Sequence, residues 1–371
     1  MRVALIRGSL VGPWELPNYL IDGVHVEVIA SRGGGGDGGF PLPVRELRSP
    51  AELLGRLSPR LSGVVDLTVG SVQYLRGLED ALAGFDIAHA GELFMPMTLQ
   101  ACEARDRGRC RRVVASVMEN IPFQPDQNRF VRRRIEQAAR RVDRFVAMSE
   151  RARLHLSLWG VEDERITVLP VGTDPERFAP APGAREDGPL RVLSVCRLEH
   201  GKGVEDLTIA VGLLAQRGGE VSVTFVGRGP LRPRLERVAA AMGIEDRVRF
   251  PGFVPWQDLP GVYRRHDAFV LASGTTRNWR EQLGFAVLEA MATGLPVLAG
   301  DSGSLPEVVG RRESLVRPHD PLSLADALEA LGDPGLRAER GAFNRARVLE
   351  RYDQRKVREQ LRRLYAGVLD G

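Results

Sequence analysis

Short apolar runs rich in β-branched residues alternate with amphipathic helical stretches along the whole chain. VALI at 3–6 and ITVLPV at 166–171 are runs of the first half, and LRVLSV at 190–195 and VSVTFVG at 221–227 belong to the second. Stretches with helical periodicity, such as GVEDLTIAVGLLAQRG at 203–218, lie between such runs. This alternation is typical of βαβ units, in which helices cover both faces of a buried parallel sheet. The pattern therefore predicts an α/β fold.

One stretch interrupts this alternation. Residues 173–189, TDPERFAPAPGAREDGP, are rich in proline, glycine and charge and have no periodicity, so they are predicted to form an interdomain linker. The linker would separate two Rossmann-like domains, an N-terminal domain at 1–172 and a C-terminal domain at 190–350. A polar helical tail at 351–371 is longer than a helix that only covers the second sheet needs to be. One interpretation is that it crosses back to the N-terminal domain.

The composition narrows the class of protein. The chain has 371 residues, 43% of them hydrophobic, which is enough for two domains with proper cores. It has no apolar run near 18 residues and no secretory leader pattern, and its three cysteines lack metal-site spacing. These features favour a cytoplasmic protein. The net charge of +4 is mildly basic and only weakly favours an anionic partner.

Two further stretches have competing interpretations. The arginine-rich segment 129–142 carries an apolar stripe; a solvated helix is the favoured interpretation, and peripheral contact with anionic lipid at the inner face of the membrane is the second. Nucleic-acid binding is not expected, because no aromatic platform is interleaved with the arginines. GGGGDGG at 33–39 contains G-x-G-x-x-G, but Pro41 and Pro43 exclude the helix that a dinucleotide site needs. A loop is predicted there, which argues against a dehydrogenase.

The stretch EQLGFAVLEAMATG at 281–294 places two carboxylates around the start of a predicted helix. The first amides of a helix have no intrahelical acceptors, and the helix dipole places partial positive charge there, so a helix that begins near Gly284 offers a seat for a diphosphate. Glu281 would then lie beside the group that the diphosphate carries. Glu289, on an otherwise apolar face, could accept hydrogen bonds from a pair of vicinal hydroxyls such as those of a ribose. The alternative is that an arginine from elsewhere pairs with Glu289.

Basic and glycine-rich positions follow two strands of the second half. In CRLEHGKGVEDL at 196–207, Arg197 ends a strand and Lys202 precedes a helix, so both are expected at the carboxyl edge of the sheet, where cations can neutralise a diphosphate. Lys202 is one of only two lysines in the chain. Gly227, in FVGRGPL, would allow close approach of the backbone to a ligand. The alternatives are surface charges for the two cations and a plain strand-to-helix turn for the glycine.

The order R-L-x-x-x-K-G, V-G-x-G-P-L and E-x7-E-A-M-A-x-G-x-P-V resembles the retaining glycosyltransferases of family 4 from residue 190 to about 310. The resemblance implies the GT-B architecture, with two Rossmann-like domains facing across a cleft. It implies that Arg197 and Lys202 contact the donor diphosphate, that Glu281 contacts the donor sugar and that Glu289 contacts the ribose. It also implies that Gly284, Phe285 and Ala286 offer backbone amides and that PGFV at 251–254 borders the base.

The chain departs from the family pattern near the donor sugar. The family often has E-G-F-G, whereas this chain has EQLG at 281–284, with Gln282 and Leu283, and Ser304 replaces a glycine before P-E. Both departures leave the identity of the sugar open. Trp279 would pack either on that sugar or in the core.

The first half offers fewer candidates. Gly12, in RGSLVGPWE, matches the glycine-rich loop that related enzymes carry after the first strand, or it belongs to an ordinary loop. Glu119, in VVASVMENIPF, could position the acceptor hydroxyl or the 6-hydroxyl of the sugar, or cap the following turn. His89 is a second candidate, with a structural role favoured.

The expected reaction is transfer of a hexosyl group from a UDP- or GDP-sugar to a hydroxyl of a saccharide, a lipid-linked compound or a small molecule. No cofactor is expected beyond the donor substrate. No metal is expected, because the chain has no D-x-D motif and no Cys/His cluster. The resemblance implies retention of configuration. The alternatives are a nucleotide-sugar epimerase or phosphorylase of GT-B fold and a non-catalytic nucleotide-sugar binder.

Overall fold

The computed structural model describes residues 1–9, 12, 14–32, 41–50, 73–121, 128–181, 188–276 and 279–371, which form two compact units. Unit 1 is built from Met1–Val171 and Gln354–Gly371, and unit 2 from Gly172–Asp353. The glycine-rich stretch at 33–39, for which a loop was predicted, lies outside the described residues.

The described part of unit 1 contains a parallel sheet in the order β3-β2-β1-β4-β5-β6-β7. Its strands are β1 (Arg2–Gly8), β2 (His25–Ser31), β3 (Val44–Leu47), β4 (Phe85–Gly91), β5 (Cys110–Val117), β6 (Arg144–Ala147) and β7 (Ile166–Val168). The helices between them are α1 (Leu78–Ala81), α2 (Pro96–Asp106), α3 (Arg129–Arg141) and α4 (Glu150–Leu158), with 3-10 turns at Leu16–Tyr19 and Asp163–Arg165. Six consecutive residues of β1 are buried, because the strand is central and covered on both faces.

A helix at the end of the chain completes unit 1. This helix, α12 (Gln354–Asp370), buries Val357, Leu361, Tyr365 and Val368, which recur every three or four residues and so lie on one face. They join a core cluster that includes residues of β1 and β2. The guanidinium of Arg358 donates to the carbonyl oxygen of Pro17 at 2.8 Å. The last helix therefore belongs to the sheet formed by the first residues of the chain.

The described part of unit 2 contains a second parallel sheet, in the order β10-β9-β8-β11-β12-β13. Its strands are β8 (Leu190–Val195), β9 (Val221–Val226), β10 (Val248–Gly252), β11 (Ala268–Leu271), β12 (Val297–Gly300) and β13 (Leu315–Val316). Its helices are α5 (Val204–Gln216), α6 (Arg232–Met242), α7 (Leu259–Arg264), α8 (Phe285–Ala292), α9 (Leu305–Val309), α10 (Pro321–Ala330) and α11 (Pro334–Arg347), followed by a π-helical turn at Val348–Tyr352. Short 3-10 turns lie at Glu245–Arg247 and Arg312–Ser314.

The described part of the predicted linker differs from a free connection. The amide of Thr173 donates to the carbonyl oxygen of Tyr352 at 2.9 Å, and the side chain of Phe178 is fully buried. The ring of Phe178 packs against Trp256 and Tyr263, with centroids 6.1 and 5.8 Å away. The buried ring of Phe178 and hydrogen bonds from Arg345 to the carbonyl oxygens of Pro175 and Phe178 fix this polar segment onto unit 2, although the segment has no periodicity of its own.

Candidate functional site

The helix α8 begins where the sequence predicts, directly after Gly284. Gly284 has φ +73°, and a Cβ atom on it would lie 2.7 Å from Cδ2 of Leu305. The glycine is therefore needed both for its left-handed backbone and for packing inside unit 2. The side chains of Phe285 and Ala286 are half-buried, whereas the remaining residues of the helix are buried. The partial positive charge of this helix end thus lies at its more accessible part.

A lysine and a glutamate that the sequence assigns to one site lie together ahead of this helix. Nζ of Lys202 lies 2.8 Å from Oε2 of Glu281, and the hydroxyl of Ser273 donates to the same oxygen at 2.9 Å. The two charged side chains are only 15% and 10% exposed. The ammonium group also lies 4.4 Å from the ring centroid of Trp279, within reach of a cation–π interaction. Lys202 is therefore held from two sides, and Trp279 contacts the lysine.

Arg197 is placed differently. Its side chain is 67% exposed and pairs with Glu199 at 3.1 Å, not with Glu281. This is the arrangement of a surface charge, which was the alternative for this residue. A ligand would have to compete with Glu199 for the guanidinium.

The glycines after β9 have a structural explanation. Gly227 has φ +142°, and a Cβ atom there would lie 1.9 Å from the carbonyl oxygen of Cys196. A Cβ atom on Gly229 would lie 2.3 Å from the carbonyl oxygen of Leu198. The turn thus packs backbone against backbone with the segment that follows β8. The sequence attributed this close approach to a ligand, whereas the structure shows a neighbouring segment of the chain.

Glu289 is a buried carboxylate with neutral donors. It is 6% exposed and accepts hydrogen bonds from Nε1 of Trp256 at 2.8 Å and from the hydroxyl of Tyr263 at 2.7 Å. Burial raises the pKa of Glu289 to about 7, against the opposing effect of the two hydrogen bonds and of the charge on Arg177. These hydrogen bonds do not come from an arginine, which was the alternative considered for this residue. The role at the ribose stays a prediction.

The sequence missed the partners of these carboxylates. Nothing in the sequence marks Trp256 or Tyr263 as site residues, and Ser273 only ends an apolar run that predicts a strand. Tyr263 lies on α7 with an apolar pattern that any core helix would show. A buried carboxylate in an apolar helix is a signal that such donors exist, but not of where they lie.

In unit 1, His89 has the structural role that was favoured. It is fully buried, with Nδ1 2.6 Å from the hydroxyl of Tyr365 and Nε2 2.6 Å from Oγ of Ser116. Burial lowers the pKa of His89 well below its ordinary value, so the imidazole is neutral.

Glu119 and Gly12 serve local structure in the described residues. Oε1 of Glu119 accepts hydrogen bonds from the amides of Asn120 at 2.9 Å and Ile121 at 2.8 Å, as expected for a turn cap. A Cβ atom on Gly12 would lie 2.5 Å from the ring of Trp14. Packing against that ring therefore explains the glycine, and a contact of either residue with substrate stays a prediction.

The arginine-rich helix α3 turns its apolar stripe inward. Val131, Ile135 and Ala138 are buried in the core of unit 1, and only Phe130 is 51% exposed. This arrangement favours the solvated helix over a lipid-binding face.

Within the described residues, none of the helices combines the length and the apolarity needed to cross a membrane. No cluster of three or more His, Cys, Asp or Glu side chains suited to a metal ion occurs in that part of the chain.

Solved structures define the architecture. Anabaena HepE in complex with UDP is similar over 99% of this chain and 100% of its own, with a TM-score of 0.75 and 19% identity. Sucrose-phosphate synthase from Thermosynechococcus elongatus is similar over 100% of this chain and 99% of its own, with a TM-score of 0.74 and 20% identity. At these identities the likeness shows the fold, which is GT-B, as predicted.

Family profiles match both halves of the chain. Residues 18–177 match "Glycosyltransferase Family 4", and residues 176–346 match "Glycosyl transferases group 1". Between them, the two glycosyltransferase profiles span residues 18–346 of a chain that has the GT-B fold. A relative of this GT-B chain, the putative colanic acid biosynthesis glycosyltransferase WcaL of Escherichia coli, is 30% identical over 66% of the chain and 60% of its own length. The GDP-mannose-dependent α-(1-6)-phosphatidylinositol monomannoside mannosyltransferase of Mycolicibacterium smegmatis is 33% identical over 54% of the chain and 56% of its own length. The GT-B chain thus spans less than two thirds of either relative.

Proposed function

We propose that the protein is a retaining glycosyltransferase that moves a hexosyl group from a UDP- or GDP-sugar to a hydroxyl acceptor without a metal ion. The observation that carries this proposal is the nearly buried pair of Lys202 and Glu281 just ahead of the α8 N-terminus. A cation, a carboxylate and a helix end within one short region suit a sugar diphosphate, which combines negative charge with hydroxyl groups. The relatives support the donor class, because one is named as GDP-mannose-dependent and a structural neighbour holds UDP-glucose.

The chemistry requires stabilisation of a leaving diphosphate. As the bond between the anomeric carbon and the phosphate oxygen breaks, negative charge grows on the diphosphate. The ammonium of Lys202 and the amides of Phe285 and Ala286 would stabilise that charge, with Arg197 assisting once it leaves Glu199. Because Lys202 is already fixed by Glu281 and Trp279, little reorganisation is needed at the moment of reaction.

The hydroxyl groups of the donor would bind to the two carboxylates. Glu281 would accept a hydrogen bond from the sugar, using lone pairs that Lys202 and Ser273 do not occupy. Glu289 would accept from the ribose hydroxyls, which then share or replace the hydrogen bonds from Trp256 and Tyr263. The acceptor oxygen attacks the anomeric carbon on the face of the leaving group, and its proton passes to the departing phosphate oxygen. Unit 1, with Glu119, would bind the acceptor.

A donor screen followed by turnover measurements tests this proposal. Thermal shift with UDP-, GDP- and ADP-sugars should select one donor, and the same donor should be hydrolysed slowly in the absence of an acceptor. Glu281→Ala should abolish this hydrolysis. The matched control is Glu236→Ala, which removes an exposed glutamate on α6 of the same unit and should preserve turnover.

The rival functions give different results in the same assay. Appearance of an epimeric nucleotide sugar would indicate an epimerase, and phosphate-dependent cleavage would indicate a phosphorylase. Binding of a donor that is never consumed would indicate a non-catalytic binder. Any of these results in place of hydrolysis or transfer would refute the proposal.

A further inference from the structure

Glu92 has an unusual backbone conformation at the carboxyl edge of the unit 1 sheet. It follows β4 directly and has φ +56°, and Glu92 and His319 are the two non-glycine residues with positive φ in the described part of the chain. A glutamate gains nothing from the left-handed region, which asparagine and glycine tolerate far better. Backbone strain of this kind is retained mainly at functional sites. The conformation therefore calls for an explanation from the side chain.

The carboxyl group of Glu92 is buried and only half satisfied. The residue is 8% exposed, and Oε1 accepts a hydrogen bond from the amide of Met118 at 2.8 Å. Oε2 is shielded from solvent and has no hydrogen-bond partner among the described residues. Buried polar atoms are nearly always paired, and an unpaired one destabilises the fold.

The backbone around Glu92 is held firmly. Its amide donates to the carbonyl oxygen of Ser116 at 2.8 Å, and its carbonyl oxygen accepts from the hydroxyl of Thr98 at 2.7 Å. The backbone is thus fixed, and the hydrogen bond from the Met118 amide to Oε1 restricts the carboxyl group. The strain and the missing partner thus occur together at a rigid point.

The position of Glu92 in the sheet is that of a ligand-binding residue. β4 lies between β1 and β5, and ligands of open α/β sheets bind beyond the carboxyl ends of such central strands. Two charged groups act on the carboxyl, namely Glu119 at the end of β5 and Arg7 on β1. Burial raises the pKa of Glu92 to about 8; the charge of Glu119 adds to the rise, and the amides of Met118 and Glu119 and the charge on Arg7 oppose it. Near neutral pH the group is mainly a carboxylic acid, which can donate a hydrogen bond as well as accept one.

We infer that Oε2 of Glu92 binds a hydroxyl group of the acceptor, next to Glu119. The inference rests on the proposed function and adds the chemical class of the acceptor at this point, a neutral polyol such as a sugar ring or a cyclitol. An anionic group would lie beside Glu119, and the negative charge of that glutamate would repel it. A hydroxyl both donates and accepts, so it satisfies the acid in either protonation state. At a site shielded from bulk water this hydrogen bond is strengthened.

The test compares Glu92→Met and Glu92→Gln with the wild-type protein. Methionine keeps the length of the side chain but removes both oxygens. Glutamine keeps the size of the side chain and can still accept from the Met118 amide, but it replaces the carboxyl oxygen with an NH2 group. Glu103→Gln, an exposed glutamate on α2, is the control. The donor selected by thermal shift is used with water alone and then with methyl α-D-mannopyranoside, methyl α-D-glucopyranoside and myo-inositol as acceptor probes.

We expect wild type to transfer to at least one probe. For that probe, Glu92→Met, which can neither donate to nor accept from a hydroxyl, should raise the acceptor KM by about 10- to 100-fold, as expected when one hydrogen bond at a buried group is lost. Glu92→Gln, whose NH2 group can still donate to the hydroxyl, should raise the KM much less. Hydrolysis of the donor by water should stay within about twofold of wild type, because the donor contacts lie in unit 2. Glu92→Asn, which suits the left-handed backbone but is one methylene shorter, should fold if the methionine variant does not and should show the same loss as Glu92→Met.

Three results would overturn the inference. An unchanged acceptor KM in Glu92→Met together with a higher melting temperature would make Glu92 a strained structural acid. Equal losses of hydrolysis and transfer would place its effect away from the acceptor. A wild-type protein that hydrolyses the donor but uses none of the probes would reject the acceptor class while leaving the donor-side function intact. Absence of any donor turnover would instead reject the proposed function itself.

Discussion

Replacement of Glu289 by glutamine separates the stability of unit 2 from donor binding. The carboxyl is buried on α8 and takes hydrogen bonds from Trp256 and Tyr263. Burial raises its pKa from 4.5 to about 7. Each unit of such a change corresponds to about 1.4 kcal/mol, so the rise of roughly 2.5 units corresponds to about 3 kcal/mol.

The direction of the pH effect follows from the protons bound in each state. Between pH 4.5 and about 7 the folded protein keeps the Glu289 proton while the unfolded chain has lost it. The free energy of unfolding should therefore fall by about 3 kcal/mol as the pH rises through this window, and level off above it. Glu289→Gln carries no titrating group at this position, so it should lose this part of the pH dependence. Chemical denaturation of both proteins at pH 4.5 to 8 measures the difference.

Donor binding should have the opposite pH dependence. Ribose hydroxyls donate best to the ionised carboxylate, so the affinity for the donor should fall about tenfold for each pH unit below 7. Isothermal titration with UDP-glucose and GDP-mannose is suitable, because their diphosphate diesters do not titrate in this range. At pH 8 the glutamine variant should bind about 10- to 100-fold more weakly, and its affinity should not vary with pH. A wild-type affinity that is constant from pH 5 to 8, or that increases in acid, would refute the role of Glu289 at the ribose.

Four other outcomes are expected. Lys202→Met, made together with Glu281→Gln so that no buried charge is left unpaired, should reduce the transfer rate by at least about 100-fold, and a single-turnover rate near wild type would contradict leaving-group stabilisation. Trp279→Leu should weaken UDP or GDP binding about 2- to 30-fold through the lost cation–π contact, whereas Trp279→Phe should retain most of it; equal affinities by calorimetry would count against the contact. Tyr365→Phe leaves Nδ1 of His89 without its partner and should lower the unfolding free energy of unit 1 by about 1–3 kcal/mol in denaturant melts, with nucleotide binding unaffected. EDTA should leave transfer unchanged, and loss of activity that a divalent ion restores would reject the metal-free mechanism.

The sheets could be predicted from the sequence because local pattern and burial agree in them. β1 and β8 are runs of β-branched and apolar residues, and both are buried central strands. The start of α8 at Gly284 could also be predicted, since glycine, helix periodicity and the preceding polar residues all indicate it. These are short-range signals that a single sequence carries in full.

The contacts that satisfy each functional group could not be predicted. Glu289 meets Tyr263, 26 residues away, and His89 meets Tyr365, 276 residues away, and neither separation leaves a periodic trace. Gly227 correctly predicts a close approach of the backbone, but the sequence does not show that the approaching group is the carbonyl oxygen of Cys196. The strain at Glu92 depends on a backbone angle that composition does not reveal. Long-range pairing therefore limits the prediction of the site more than of the fold.

The position of α12 has a consequence for biosynthesis. During translation, the residues of unit 2 emerge while the first sheet still lacks the helix that covers Val3 and Leu5. The nascent first sheet must then keep its apolar face from aggregating until residues 354–370 leave the ribosome. A premature stop codon shortly before them would leave unit 2 complete yet yield a product that chaperones and proteases recognise as unfinished.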